Sequence, residues 1–214
     1  MSSPYDVVKQ FEQAVCEYTG APFCVSVNSC TSALLLAVKW NLLPFGDRVP
    51  WQVVEIPKRT YVSVPMSIIH AGAQVTFRDE EWRGAYQLWP HPVWDAARRF
   101  KSMMYADAFM QGGGLLMPFV CVSFHAAKIL GDTQGGAILH AGPEADAWFR
   151  RMRFDGRTEG VAPKDDDFRE IGYHCYMSND VAARLLLKLH SLPKYNDDLP
   201  NDDYPDLSAM EIFK

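Results

Sequence analysis

The stretch FCVSVNSCTSALLLAV, residues 23–38, decides the fold. Its first five residues predict a short buried strand, the polar run 28–32 predicts a turn, and the good helix formers that follow predict a helix. Backbone N–H groups at such a turn have no partner within the helix, and together with the helix dipole they suit an anion such as phosphate. Taken alone, the turn is better explained as an ordinary helix N-cap.

The rest of the chain continues this alternation of strands and helices. The pattern of residues predicts helices over 5–18, 64–71, 145–153 and 179–189. Apolar runs predict strands over 53–56, 74–77, 93–95, 119–124 and 135–139. An α/β fold follows, in which the sheet lies between helices and ligands bind beyond the carboxyl ends of the strands.

Two segments look irregular. Residues 79–92 are rich in Trp and Pro, and residues 193–205 are acidic and contain Pro200 and Pro205. Such a composition favours loops over packed elements. We expect the second segment to be a loose tail, or a strap that becomes ordered on a partner subunit.

Composition and charge restrict the class of protein. The chain has 214 residues with 26 Asp and Glu against 21 Lys and Arg, a net charge of −5, which argues against gripping nucleic acid by electrostatics alone. The five cysteines are an odd number without a C-x-x-C pair, which favours reduced thiols over disulfides or a zinc site. Since neither a signal peptide nor a membrane span is recognisable, we expect a cytoplasmic protein.

Three further residues have the right character for chemistry. The ring of Tyr61 could stack on a planar cofactor, although a core tyrosine is equally typical there. Asp95 ends an apolar strand, where a buried acid needs a partner such as a protonated ring nitrogen, or else caps the next helix. Lys128 follows another buried strand, where partial burial would free its amine as a nucleophile, although a surface lysine is the more common case.

Together these features are the parts that a protein supplies to pyridoxal 5′-phosphate (PLP). The turn would bind the phosphate, the tyrosine would stack on the ring, the aspartate would face the ring nitrogen, and the lysine would form a Schiff base. Each feature is weak alone, and their order along the chain makes the combination informative. The residues therefore point to a PLP protein.

The sequence resembles the DegT/DnrJ/EryC1/StrS family of PLP-dependent sugar aminotransferases from Phe11 to Leu189. The similar segments are VNSCTSALLLAV to the family's NSGTAAL, VWDAARRF to viEDAAqa, VSFHAAKIL to SFhatKnl, TQGGAIL to GEGGmi, and IGYHCYMSNDVAARLLLKL to GyNyRmselqAAlglaqL. The resemblance implies a reduced form of the type I PLP large domain, with a mostly parallel sheet of about seven strands between helices.

The resemblance also implies roles for individual residues. Lys128 would hold PLP as a Schiff base and move the proton, and Asp95 would keep the ring nitrogen protonated. No metal is implied. The implied cofactor-binding residues are Cys30, Thr31, Ser32, Tyr61, Asp95, Arg98, Ser123, Lys128 and His174. His174 would reach the cofactor of a partner subunit, so that a homodimer shares its active sites.

The sequence departs from the family pattern at several of these positions. Arg98 replaces a glutamine, His174 an asparagine, Tyr176 an arginine and Cys30 a glycine. A strand–helix segment is lacking between Asp79 and Asp95, and we expect no small domain after the large domain at 1–192, only the acidic, proline-containing tail 193–214. A pocket without that domain would be more open, which weakens the case for a sugar substrate.

Three functions remain open from the sequence. The first is a family-type aminotransferase acting on a small-molecule amino substrate. The second is a PLP-dependent decarboxylase or other Cα chemistry on an amino-acid-bearing substrate, including a nucleotide or a viral DNA base, for which the charge gives no support. The third is a non-catalytic scaffold, against which the retention of both Lys128 and Asp95 argues.

Overall fold

A computed structural model of the chain describes residues 6–44, 51–111, 117–200 and 204–214. Tyr5, the first residue of the first predicted helix, lies outside these ranges. The helices are α1 Asp6–Thr19, α2 Cys30–Asn41, α3 Ser63–Ala71, α4 Met104–Gln111, α5 Pro143–Met152 and α6 Asn179–His190. The strands are β1 Phe23–Val27, β2 Val53–Pro57, β3 Gln74–Arg78, β4 Tyr86–Leu88, β5 Val93–Asp95, β6 Phe119–Ser123 and β7 Gly136–His140.

The strands form two sheets that backbone hydrogen bonds connect. The first contains five strands in the order β1-β7-β6-β5-β4, and the second is the pair β2-β3. Glu55 and Trp89 exchange backbone hydrogen bonds of 2.8 and 3.1 Å, which link β2 to the residue that follows β4. The strands of the described chain thus make one continuous layer in the order β1-β7-β6-β5-β4-β2-β3.

The layer is mixed, which corrects the expectation of a mostly parallel sheet. The pairs β5–β6 and β2–β3 are parallel, but β7 is antiparallel to both β1 and β6, and β4 is antiparallel to β5. Only residues 89–92 connect β4 to β5. A connection of that length permits a hairpin, whereas a parallel pair needs a crossover of a dozen residues or more.

Helices cover both faces of this layer, as predicted. Successive strand residues face opposite cores: Val25 packs in the same cluster as α2, α3 and α5, whereas Cys24 packs with α1, α4 and α6. The period of two in a strand causes this division, and it requires apolar residues on both faces. Among the described helices, none combines the length and the apolar character that a membrane span needs.

Two elements were not predicted from the sequence. Strand β4 lies within the segment 79–92 that looked irregular, and α4 lies where no element was expected. Strand β4 has three residues between stretches rich in Trp and Pro, so periodicity gave no usable signal. It occupies the place between β5 and β2 in the layer.

The described part of the acidic tail packs on its own chain rather than lying loose. Leu207 is fully buried, and its N–H donates to the carbonyl of Lys58 at 2.9 Å. Asp198 forms an ion pair with Arg99 at 2.6 Å. The tail therefore runs along the body of the same protomer, although the division into 1–192 and 193–214 stays a prediction.

A glycine allows the turn before α2 to approach β7. A Cβ atom on Gly136 would lie 2.5 Å from the backbone nitrogen of Cys30 and 2.5 Å from the carbonyl carbon of Ser29. Real Cβ atoms do not approach backbone so closely, so only glycine fits here. This contact fixes the turn 28–32 against the sheet.

A buried ion network connects α1, β1 and α5. Arg153 is 2% exposed and its Nη1 donates to Glu12 Oε1 at 2.5 Å, while Arg150 Nη1 donates to Glu12 Oε2 at 2.8 Å. The N–H of Ser26 donates to Glu12 as well, at 2.9 Å. Burial alone would raise the pKa of Glu12, but the two arginines and these hydrogen bonds lower it below its ordinary value.

We predict that Glu12→Gln destabilises the fold by about 3–5 kcal/mol near neutral pH, because it leaves Arg153 buried without its charge partner. Because the pKa of Glu12 is lowered in the folded state, its contribution is complete above the unfolded pKa of about 4.3 and is lost as the pH falls through the folded value. Urea unfolding from about pH 7 to pH 3 should therefore show a steeper loss of stability in the wild type than in the variant.

Glu17→Gln is the control, because Glu17 lies on the exposed face of the same helix and bonds only locally, to Gln13. Equal unfolding free energies for Glu12→Gln and the control would contradict a stabilising role for the network.

Candidate functional site

A cavity of about 330 Å³ lies where the carboxyl ends of β1, β2, β5 and β6 meet. Its lining comes from the residues that directly follow these strands, together with one residue of the tail, Tyr204. A larger depression of about 640 Å³ lies between α1 and α5 and is wide open to solvent. The cavity at the strand ends is the better candidate, because ligands of α/β sheets bind there.

The turn before α2 presents hydroxyl groups to this cavity. Ser29 caps the helix by accepting the N–H of Ser32 at 3.1 Å. Thr31 Oγ1 lies 2.8 Å from Ser63 Oγ, the first residue of α3, and both line the cavity. Two hydroxyls beside the N-terminus of α2 form a surface suited to an anion.

Asp95 is held at the end of β5. Its carboxyl group is 5% exposed, and Oδ2 accepts the Tyr86 hydroxyl at 2.8 Å while Oδ1 accepts the N–H of Ala97 at 2.9 Å. Burial raises the pKa of Asp95 above its ordinary value, although both hydrogen bonds act in the opposite direction. A group near the carboxyl that carries a proton on nitrogen would recover the charge partner that burial removes.

Lys128 lies in the compact loop after β6. Its N–H donates to the carbonyl of His125 at 2.8 Å, and Gly131 allows the loop to close because a Cβ there would lie 2.8 Å from the Lys128 carbonyl oxygen. The side chain lines the cavity, and its charge lowers the pKa values of both Asp95 and the Cys30 thiol. The loop therefore directs a cationic amine toward the buried carboxyl.

Aromatic rings and one arginine form the mouth of the cavity. The rings of Trp82 and Tyr204 are stacked with centroids 6.2 Å apart, and Tyr61, which is 58% exposed, lies 6.5 Å from Tyr204. The Arg98 guanidinium lies 4.9 Å from the centre of the Tyr204 ring, and its Nε donates to the Tyr204 hydroxyl at 2.9 Å. A planar ligand entering here would meet ring faces and a permanent cation.

The structure brings most of the predicted site residues together. The cavity is lined by Cys30, Thr31, Tyr61, Asp95, Arg98, Ser123 and Lys128. Ser32 lies outside the lining, because its hydroxyl donates to Asn28 Oδ1 at 2.7 Å beneath the turn. His174 also lies outside it; the ring is exposed and its Nδ1 is 2.9 Å from Asp155.

Several lining residues were missed from the sequence. Ser29 and Ser63 follow strands β1 and β2 but carry no motif of their own, and Trp82 and Tyr204 come from segments that looked irregular. Tyr86, behind Asp95, was missed with its strand. The one available signal was the pattern of Tyr86 and Leu88 on one face of a short strand, both of which are buried.

The comparisons with known proteins agree with this geometry. The sequence profile of the DegT/DnrJ/EryC1/StrS aminotransferase family matches residues 1–96 and 93–198. The chain belongs to this family. Together the two matches extend over both sides of the cavity, from the turn before α2 to the start of the tail.

Individual family members show how much of a relative the chain represents. The UDP-4-amino-4,6-dideoxy-N-acetyl-beta-L-altrosamine transaminase of Campylobacter jejuni is 26% identical over 230 residues, covering 87% of this chain and 58% of that protein. A segment of 72 residues is 42% identical to the spore coat polysaccharide biosynthesis protein SpsC of Bacillus subtilis, which covers 34% of this chain and 17% of that protein. The chain thus spans well under two thirds of the length of these relatives.

Solved structures of aminotransferases share the fold. AtS13 from Actinomadura melliaura superposes with a TM-score of 0.67 at 20% identity, over 87% of this chain and 60% of that one. PseC from Helicobacter pylori, an aminotransferase of pseudoaminic acid biosynthesis, gives a TM-score of 0.64 at 18% identity, over 86% and 57%. At such identities the likeness establishes the fold, and it confirms the expected type I large domain.

The cysteines of the family member studied here give a test of cavity occupancy. Burial and the nearby Asp95 carboxylate raise the pKa of Cys30 well above its ordinary value, whereas a hydrogen bond from Cys24 lowers the pKa of Cys16. Since the thiolate is the reactive form, iodoacetamide should alkylate Cys16 before Cys30. Added PLP should slow the alkylation of Cys30, which lines the cavity, and leave that of Cys16 unchanged.

Mass spectrometry of the digested protein reports both sites in one sample, so Cys16 is the internal control. Faster alkylation of Cys30 than of Cys16, or equal protection of both by PLP, would contradict this description of the site.

Proposed function

We propose that this chain is a PLP-dependent aminotransferase that transfers an amino group between an amino acid and a keto sugar. The observation that carries the proposal is the meeting of a buried carboxyl, Asp95, and a lysine, Lys128, in one cavity beside the N-terminus of α2, in a chain of this family. The sugar-linked name of the Campylobacter jejuni relative supports the substrate class.

The residues present fit PLP at its anionic end. The first-turn N–H groups of α2 and the hydroxyls of Thr31, Ser63 and Ser123 offer donors to a phosphate. Ser123 also accepts the N–H of His125 at 3.4 Å, a long contact that leaves its hydroxyl proton available to a ligand. The predicted role of Ser32 becomes one of bracing this turn rather than contacting the phosphate.

The residues present also fit the pyridine ring. Asp95 is buried with an N–H and an O–H donor on its two oxygens, and a third donor from a ring nitrogen would complete its surroundings. Tyr61 extends an exposed ring over the opening. When bound, PLP supplies an electron-withdrawing ring that stabilises negative charge on the substrate carbon.

Lys128 performs the covalent and proton-transfer steps in this proposal. Its Nζ binds the aldehyde carbon of the cofactor and is displaced when the amino substrate takes its place. The freed amine then moves the proton between the substrate carbon and the cofactor. The carboxylate of Asp95 holds the ring nitrogen in its protonated form throughout.

Arg98 and Tyr204 orient the substrate at the mouth. The Arg98 guanidinium is permanently charged and is stacked against Tyr204, so its side chain is fixed before a substrate arrives. A planar cation of this kind matches a carboxylate or the phenolic oxygen of the cofactor.

We further propose that two copies of the chain share their active sites in a cytoplasmic homodimer. His174 is exposed and lies away from the cavity of its own protomer, as a residue that serves a partner would. Ile171, in the same segment, is 94% exposed, and a dimer contact would cover it. The five thiols are unpaired, which supports a reducing compartment.

The proposal predicts a half-reaction with an amino donor. The protein loaded with PLP and mixed with glutamate should produce pyridoxamine phosphate and 2-oxoglutarate in equal amounts, measured by chromatography. Lys128→Ala should slow this conversion by about a thousandfold or more, because the proton then has no carrier. Lys164→Ala is the matched control, since Lys164 lies on an exposed turn away from the cavity.

Release of carbon dioxide from amino acids without pyridoxamine phosphate would contradict transamination and indicate a decarboxylase. Equal rates in Lys128→Ala and Lys164→Ala would remove Lys128 from the chemistry.

A further inference from the structure

A chain of three buried hydroxyl and carboxyl groups extends inward from the cavity. Thr60 is 1% exposed, Tyr86 is 2% exposed and Asp95 is 5% exposed. Thr60 Oγ1 lies 2.5 Å from Tyr86 Oη, and Tyr86 Oη donates to Asp95 Oδ2 at 2.8 Å. These three side chains come from the end of β2, from β4 and from β5, which are neighbours in the layer.

The direction of the protons in this chain is determined by the charge of Asp95. An ionised carboxylate only accepts hydrogen bonds, so the single proton of Tyr86 points at Asp95. The Tyr86 oxygen then accepts, and Thr60 is the donor to it. Burial and the Asp95 charge raise the pKa of Tyr86 well above its ordinary value, so its hydroxyl keeps this proton across the working pH range.

The other groups that face Asp95 are less suited to controlling its charge. Lys128 lowers the pKa of Asp95, but its amine becomes part of a covalent bond when the cofactor is attached. Arg98 lowers it as well, from the mouth of the cavity. The thiols of Cys30 and Cys121 feel the Asp95 charge, but both are neutral because their pKa values are raised.

We propose that Tyr86, supported by Thr60, is a positioning residue that keeps Asp95 ionised and thereby keeps the proton of the Asp95–PLP pair on the ring nitrogen. The inference rests on the proposed function, since it concerns the cofactor that Asp95 faces. A hydrogen bond donated to the carboxylate makes it a weaker base, so the shared proton stays on the ring. Without the Tyr86 hydroxyl the proton moves toward the carboxyl oxygen.

Strand β4 is essential to this arrangement. It turns back along β5, and the register pairs Tyr86 directly with Asp95. Because neighbouring residues in a strand point to opposite faces, a shift of one residue would put Gln87 opposite Asp95 and turn Tyr86 away. The reversed strand thus supplies a hydroxyl donor where the sequence suggested an irregular segment.

The test is the protonation state of bound PLP labelled with nitrogen-15 in its ring, measured by NMR in the wild type and in Tyr86→Phe. The substitution removes one oxygen and conserves the shape of the ring. We expect the equilibrium between ring-protonated and carboxyl-protonated forms to shift by about tenfold toward the carboxyl, the effect of a hydrogen bond to a charged group. The nitrogen resonance should move toward that of a neutral pyridine.

Tyr105→Phe is the matched control. Tyr105 is also buried and donates a hydrogen bond, to the carbonyl of Pro118 at 3.2 Å, but its hydroxyl is not part of the cavity or of the chain to Asp95. A general loss of packing would affect both variants, whereas the inference requires that the nitrogen resonance moves only in Tyr86→Phe.

The outcomes separate the inference from the proposed function. Identical nitrogen resonances in the wild type and Tyr86→Phe, with PLP bound to both, would overturn the role of Tyr86 and leave the proposed function intact. Failure of the wild type to bind PLP would overturn both. If Tyr86→Phe does not fold, Thr60→Val decides the question: it should give a smaller shift in the same direction, and an unchanged resonance would overturn the inference.

Discussion

The arrangement of this site depends on one constraint, a carboxyl group buried at the end of a strand. A charge that has lost its water needs donors on its lone pairs and a positive partner nearby. The backbone N–H of Ala97 and the hydroxyl of Tyr86 supply the donors, and Lys128 and Arg98 supply positive charge. The need for the Tyr86 donor in turn explains why β4 runs back along β5 instead of leaving the layer.

The opposite wall of the cavity depends on a close backbone approach. Because position 136 carries no side chain, the turn at Ser29 and Cys30 lies against β7 and directs the N-terminus of α2 into the cavity. The tail closes the third side, with Tyr204 against the Arg98 guanidinium and Asp198 bound to Arg99. Anion site, buried carboxyl and aromatic mouth are thus fixed by separate contacts that converge on one cavity.

The sequence predicted the parts of the fold that local patterning specifies. Strand β1 was predicted at its observed bounds, and the helix after it was predicted from its formers, three residues later than it begins. Asp95 and Lys128 were found because each follows an apolar strand. Local pattern could not reveal which hydroxyl of the turn faces the cavity: Ser32 is turned away by its bond to Asn28, and the hydroxyl beside Thr31 comes from Ser63, 32 residues later.

What the sequence did not reveal is set by long-range packing. Tyr86 and Tyr204 reach the site from segments rich in Trp, Pro and Asp, where periodicity carries no information, and their positions depend on partners across the layer. The mixed direction of the strands has the same origin, since the short link between β4 and β5 permits only a hairpin.

The central claim is that Asp95 and Lys128 form a PLP site, and covalent trapping tests it most directly. The protein is incubated with a small excess of PLP, reduced with borohydride, digested and mapped by mass spectrometry. The account predicts a pyridoxyl group on Lys128 and no such group at the same excess in Lys128→Ala. A wild-type protein labelled only at other lysines, or labelled equally in both proteins, would contradict it.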